Sequence, residues 1–261
     1  MWGAIIGDLA GSIYEFGQIK EISQVEVRNL IEDNSFFSDD TILTIAILDA
    51  ILNNENYEFY LKKYAKDYAA YKPNFNPYFK NVFSPGFSNW VNGDIPGISK
   101  GNGAMMRISP VGYFFNTKEE VIKNVQLATI PSHNSLEAVN CATKVAMVIY
   151  LARSGLSKEE IIKELNLDFS YIPFIKFNMT CNDTISNCLY ATFTSNSFDE
   201  SIRKVISYGG DTDTNACIVG SMAEALYGID EKLIDEAKAK IPDKFVKKLT
   251  LGYQNKPLIY Q

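Results

Sequence analysis

Apolar residues recur along this chain mostly at spacings of three and four, the period of a helix with one buried face. Ile42, Ile45, Ala46, Leu48, Ile51 and Leu52 predict a helix from Ser38 to about Asn53, followed by a turn at Asn53-Asn54-Glu55-Asn56. Tyr57 to Tyr71 predicts another, with Phe59, Leu61, Tyr64, Ala65, Tyr68 and Ala69 inward. The pattern continues through Pro110–Phe115, Thr117–Thr129, a long segment Leu136–Ala152, then Asp183–Thr194 and Phe198–Ser207. Ser157-Lys158-Glu159-Glu160 has the form of a capping box. After Gly228, helices are expected from about Asp230 to Lys240 and from Pro242 to Leu251. Residues 18–37 alternate only weakly (Ile19, Ile22, Val25, Val27, Leu30), and 168–180 are irregular and aromatic. Residues 72–101 are rich in proline and glycine, with Phe75, Tyr78, Phe79, Phe83, Phe87 and Trp90 among them. No segment alternates convincingly with period two, and there are no internal repeats or Ser/Gly linkers. One all-α domain over residues 1–261, a compact multi-helix bundle, is the economical reading.

Composition narrows the class. The 261 residues are 46% hydrophobic and 21% charged, ordinary for a globular chain with ample core. A net charge of −6 gives no general affinity for nucleic acid. No apolar run reaches the roughly 18 residues of a membrane span. The start, Met1-Trp2-Gly3-Ala4-Ile5-Ile6-Gly7-Asp8, lacks the basic region of a signal peptide. Cys141, Cys181, Cys188 and Cys217 form no C-x-x-C pair, which argues against a zinc site. A soluble cytoplasmic protein is expected, and a monomer.

Several polar stretches interrupt the apolar pattern. Gly209-Gly210-Asp211-Thr212-Asp213-Thr214-Asn215 precedes the helical run Ala216, Cys217, Val219, Met222, Ala223, Ala225, Leu226. Ser38-Asp39-Asp40-Thr41 opens a helix in the same way. Acids at helix starts are ordinary capping residues. Two such starts, however, hold four carboxylates; if the fold joins them, their repulsion calls for cations, and oxygen ligands suit magnesium or manganese. In residues 3–16, Gly3, Gly7 and Gly11 share a helix face and permit close approach by another helix or a ligand. Asp8 and Glu15 lie roughly on one face, and Glu15 in this apolar setting needs either a basic partner or a role at such a site. Lys100-Gly101-Asn102-Gly103-Ala104-Met105-Met106-Arg107 is a plain turn or a cradle of backbone N–H groups for an anion. The aromatics of 72–101 are packing residues or a surface for a nucleobase. His133, the only histidine, sits in Ser132-His133-Asn134-Ser135 at a helix start, as a loop histidine or a ligand contact.

Five stretches in this order, Gly7-Asp8-Leu9-Ala10-Gly11-Ser12-Ile13-Tyr14-Glu15, Ser38 to Thr41, Gly101 to Arg107, Ser132-His133-Asn134 and Gly209 to Thr214, resemble the ADP-ribosylglycohydrolase family over almost the whole chain. The resemblance implies an all-α fold with a central cleft holding two Mg²⁺ or Mn²⁺ ions. It implies Ser38, Asp39, Asp40, Asp211, Asp213 and Thr214 as metal ligands, with Ser38 where many members carry threonine. It further implies Glu15 and Asp40 as catalytic residues, and Gly101, Asn102, Gly103, Ala104, Met105 and His133 as the residues that bind diphosphate and ribose. The implied activity is hydrolysis of the glycosidic bond between ADP-ribose and a protein, nucleic acid or small-molecule acceptor. Two alternatives stay open: a two-metal phosphoester hydrolase, and a catalytically silent structural relative.

Overall fold

The computed structural model describes residues 1–15, 27–72 and 81–257. Its named elements are helices throughout: α1 (Trp2–Gly11), α2 (Asp39–Asn53), α3 (Tyr57–Asp67), α4 (Pro85–Asn92), α5 (Gly103–Met106), α6 (Ser109–Phe114), α7 (Lys118–Thr129), α8 (Leu136–Arg153), α9 (Lys158–Glu164), α10 (Cys181–Phe193), α11 (Phe198–Ile206), α12 (Thr212–Tyr227), α13 (Glu231–Lys238) and α14 (Asp243–Asn255). Among the described residues, extended pairing is confined to two isolated bridges, Ile98 with His133 and Gly101 with Thr180.

The glycines of the first helix set the centre of the fold. Every residue of α1 is buried, as expected for a helix apolar on all sides. It lies antiparallel against α12, with almost no space between the backbones. A Cβ on Gly3 would stand 2.1 Å from the Gly220 carbonyl oxygen, one on Gly7 2.0 Å from that of Ala216, and one on Gly11 2.2 Å from that of Thr212. Thr212 Oγ1 also donates to the Gly11 carbonyl at 2.8 Å. The end of α1 therefore meets the beginning of α12, and the chemistry-bearing residues of both gather at one end of the pair.

Capping follows the sequence closely. Ser38 caps α2, Asn56 caps α3, Ser135 caps α8 and Ser197 caps α11. Full capping boxes close the starts of α7 and α9. Three expectations change. Residues 72–101 contain a helix: Ser84 caps α4 and Pro85 takes its first turn, where the missing N–H costs nothing. The helix begun at Tyr57 stops at Asp67. Phe59 is 57% exposed and Ala69 is exposed, because Tyr60, Leu61, Tyr64 and Tyr68 supply the inward face instead. The expected weak alternation at Ile19, Ile22 and Val25, and the aromatics Phe75, Tyr78 and Phe79, lie outside the described residues. All four cysteines are buried free thiols. No helix among the described residues is long and apolar enough to cross a membrane.

Candidate functional site

The site begins with Asp8. Its carboxylate is fully buried in α1 and accepts four hydrogen bonds from the start of α2: from Ser38 N (2.9 Å), Ser38 Oγ (2.9 Å), Thr41 N (3.0 Å) and Thr41 Oγ1 (2.5 Å). The end of α1 thus holds the start of α2, as its glycines hold the start of α12. Ser38 Oγ also reaches Asp40 Oδ2 at 3.1 Å, and Thr214 Oγ1 donates to the same oxygen at 3.2 Å across 174 residues. The two acid-bearing helix starts are therefore in direct contact.

At the start of α12, Gly209 and Gly210 have φ of 79° and 72°, a region that other residues enter at a cost. A Cβ on Gly210 would also strike Asn178 Oδ1 at 2.1 Å. Asn178 Oδ1 accepts from the Asp211 N–H at 2.9 Å, and its amide donates to Thr184 and Asn215, each at 2.8 Å. Asp211 precedes the helix without making a side-chain cap. Its carboxylate instead accepts from Asn102 Nδ2 at 2.6 Å, and Asp213 Oδ1 accepts from Thr214 N at 2.7 Å. The capping reading of these acids therefore does not account for Asp211.

Two groups of three carboxylates result, Asp8–Asp40–Asp213 and Glu15–Asp211–Asp213, each with ligand atoms within 4.8 Å of one another. Asp213 belongs to both. Burial, then the charge of Asp213, pushes Asp8 up to about 7. Burial, then Asp213 and Asp211, pushes Glu15 up to about 11. Asp39, Asp40 and Asp213 are held well above the ordinary carboxylate range, first by burial and then by their acidic neighbours. Asp40 Oδ1 is buried with no hydrogen-bond partner among the described residues. An orphaned buried carboxylate oxygen within a set of like charges fits hard divalent cations, which take oxygen ligands.

Above these acids opens a cavity of about 760 Å³. Glu15, Asp39, Asp211, Asp213 and Thr214 form its polar floor. Phe83, Phe87 and Trp90 form an aromatic wall, with ring centroids 5.5 and 5.3 Å apart along the row. The third side is the Gly101–Gly103 turn, with Arg107 and His133. This turn is pinned on both flanks: Asn102 N donates to the Met179 carbonyl (3.0 Å), Cys181 N to that of Lys100 (2.9 Å), and Asn134 N to that of Gly97 (2.6 Å).

A model of the family described as ADP-ribosylglycohydrolase matches residues 1–256. The chain belongs to the ADP-ribosylglycohydrolase family. The mouse "ADP-ribosylhydrolase ARH3" is 23% identical, over 88% of this chain and 83% of its own length. "ADP-ribosylarginine hydrolase Tri1" of Pseudomonas putida (strain GB-1) is also 23% identical, over 87% and 69%. The "ADP-ribosyl-[dinitrogen reductase] glycohydrolase" of Rhodospirillum rubrum is 27% identical over half of this chain and 47% of its own. A solved structure titled "ADP-ribosylglycohydrolase-related protein complex" superposes with a TM-score of 0.65, at 17% identity, over 97% of this chain and 91% of that one. Its fold is shared.

Against this family background the expected site residues fall into layers. Ser38, Asp39, Asp211, Asp213, Thr214 and Glu15 line the cavity, while Asp40 lies beneath them. Gly101, Asn102, Gly103 and His133 face the cavity; Ala104 and Met105 are buried away from it, and Met106 and Arg107 line it instead. The expected backbone cradle is largely spent: Asn102 N is taken by Met179, and Ala104 N and Met105 N bond back to Gly101 (3.4 Å) and Asn102 (2.8 Å). Two contributors went unassigned in the sequence, Asp8 as a member of the acid group and Asn178 as the anchor of Asp211. Asp8 carried a usable signal: it stands between Gly7 and Gly11 on a helix too apolar to bury a lone acid.

Proposed function

We propose that the chain hydrolyses the glycosidic bond joining ADP-ribose to an acceptor, using two divalent cations, Mg²⁺ or Mn²⁺, held by Ser38, Asp39, Asp40, Asp211, Asp213 and Thr214, with Asp8 behind them. The observation that carries this reading is the pair of carboxylate groups sharing Asp213, with the orphaned Asp40 Oδ1 between the helix starts, in a chain of this family. The relatives named above for ADP-ribosyl substrates support the substrate class.

Bound cations would supply Lewis acidity for ribose hydroxyls and for water. The rest falls to the chain. Glu15 sits at the cavity edge of the acid group, where a carboxyl can pass a proton between the leaving group and water. The acid-rich floor favours the positive charge that develops at the anomeric carbon in an oxocarbenium-like state. The aromatic wall offers a face for adenine. Asp40, buried beneath the cavity, would help to hold the cations in place. The free thiols suit a reducing compartment.

The test is a hydrolysis panel with Mg²⁺ and with Mn²⁺: ADP-ribosylated arginine, serine and nucleobase, O-acetyl-ADP-ribose, and simple phosphoesters. Release of ADP-ribose from one linkage, lost on chelation, is the expected result. Turnover of phosphoesters alone supports a two-metal phosphoesterase, and no turnover at all a silent relative.

A further inference from the structure

His133 is buried, and its Nδ1 lies 2.7 Å from Ser132 Oγ. That hydroxyl also accepts a 2.6 Å hydrogen bond from Arg107 Nη2. A guanidinium can only donate, so the oxygen accepts there and its single proton needs another acceptor. Among the described residues the other partner of Ser132 Oγ is the imidazole. A proton on Nδ1 would make Ser132 accept twice and leave its own hydrogen buried and unpaired, which is unfavourable. The direction of the chain is therefore set from its charged end: Arg107 to Ser132, and Ser132 to His133 Nδ1.

We infer that Arg107 and Ser132 are positioning residues that hold His133 as the neutral Nε2–H tautomer, a hydrogen-bond donor to a phosphate oxygen of the ligand in the cleft. The identity of that ligand rests on the function proposed above; the tautomer does not. Nε2 lies 3.5 Å from where Cβ atoms on Gly101 and on Gly103 would stand, so the two glycines keep the space before the donor clear. The turn's own N–H groups at Asn102, Ala104 and Met105 are already engaged, and the imidazole adds a donor on this side of the cleft. Burial and the Arg107 charge hold the histidine well below its usual pKa, so it donates as a neutral ring. Arg107 itself is fully buried, and its Nε and Nη1 have no partner among the described residues. Its bonds run from Nη2, to Ser132 and to the Ala128 carbonyl at 3.2 Å. The charge of Asp39 offsets part of the cost of burying this cation, but stability alone poorly explains a guanidinium with so few hydrogen bonds.

Because His133 is the only histidine in the chain, its ring nitrogens can be read directly in the full-length protein labelled with ¹⁵N-histidine. Long-range ¹H–¹⁵N spectra should show an unprotonated Nδ1 and a protonated Nε2, and ADP-ribose should shift the Nε2 proton. Ser132→Ala should turn the spectrum into a mixture of tautomers and weaken ADP-ribose binding roughly tenfold, the scale of one hydrogen bond to a charged group. Ser132→Thr should restore both, and Arg107→Met should mix the tautomers as Ser132→Ala does. A purely structural role would lower the Tm of the variants without moving the ring nitrogens. A protonated Nδ1 in the wild type, or an unchanged spectrum in folded Ser132→Ala, overturns the inference; these two measurements decide it even where Arg107→Met fails to fold. A wild type with the expected tautomer that binds no ADP-ribose overturns the ligand assignment and the proposed function together. Binding that is unaffected in Ser132→Ala overturns the positioning role alone.

Discussion

The two helix starts that carry the acids look alike as sequence, each a short run of aspartates and hydroxyls before an apolar helix, yet they are held by different chemistry. The α2 start is held by a charge: Asp8 receives both the N–H groups and the hydroxyls of Ser38 and Thr41. The α12 start is held by neutral amides, through Asn178 on the Asp211 N–H, Asn102 on its carboxylate, and Asn215 on the Gly209 carbonyl at 3.1 Å. The difference has a physical sense. A carboxylate buttress adds negative charge to a set already crowded with it, and so strengthens the demand for cations. An amide buttress orients an acid without adding to that demand.

The largest effect should come from separating what both starts share. Gly7→Ala puts a methyl group 2.0 Å from the Ala216 carbonyl oxygen, and backbone cannot step aside as a side chain can. We expect a loss of about 3 kcal/mol or more, at or beyond the upper end for overpacking, with both helix starts disordered together. Denaturant unfolding checks this; a Gly7→Ala protein of normal midpoint means that the α1–α12 contact is looser than described. Next in size is Glu15→Gln, which keeps shape and removes the ionisable group. Turnover should fall on the order of 10²–10⁴, as for a lost acid or base, with the fold intact. Near-normal turnover would take Glu15 out of the chemistry.

The comparison itself is sharpened by Asp8→Asn and Asn178→Ala. Each removes buried hydrogen-bond partners and should cost about 1–3 kcal/mol. They should differ in place: amide exchange should quicken at Ser38 and Thr41 in the first variant, and at Asp211 and Asn215 in the second. Loss of protection at both starts in either variant would show that they form one cooperative unit rather than two independently anchored ones.

What was legible in the sequence follows the range of the interactions. Helices and caps are set within a few residues, so the Ser157 capping box and the helix starts at Ser38, Tyr57 and Thr117 could be read directly. The close-packing face of α1 was legible because glycines at intervals of four have few other uses in an apolar helix. The acids were legible as a group through the resemblance of five stretches to one family. Asn178 was not, since an asparagine in an irregular segment becomes an anchor only when the left-handed turn at Gly209-Gly210 is set against it. The engagement of the Gly101–Met105 amides was equally hidden, because the Met179 partner comes from a distant loop. Helix α4 was masked by the glycines and prolines around it, although Ser84-Pro85 is a sound helix start.

The most direct test of the charge-based buttress concerns Asp8. Burial and Asp213 raise its folded-state pKa to about 7, against about 3.9 for an unfolded aspartate. The folded protein therefore binds more protons than the unfolded chain between these values, and stability falls as pH rises. The contribution is fully present below about pH 4 and is lost as pH passes through about 7, with a slope of no more than about 1.4 kcal/mol per pH unit for this one proton. Divalent cations favour the ionised carboxylates, which lowers the folded-state pKa and removes the slope. Unfolding midpoints measured from pH 5 to 8 should therefore decline in chelator and stay nearly level in saturating Mg²⁺, the two curves separating as pH rises. Asp8→Asn should flatten part of the decline in chelator, whereas Asn178→Ala should leave its shape unchanged and only lower it. Parallel curves with and without Mg²⁺ would show that the acids at the two helix starts hold no cation, and the charged buttress would then have no purpose that the amide one lacks.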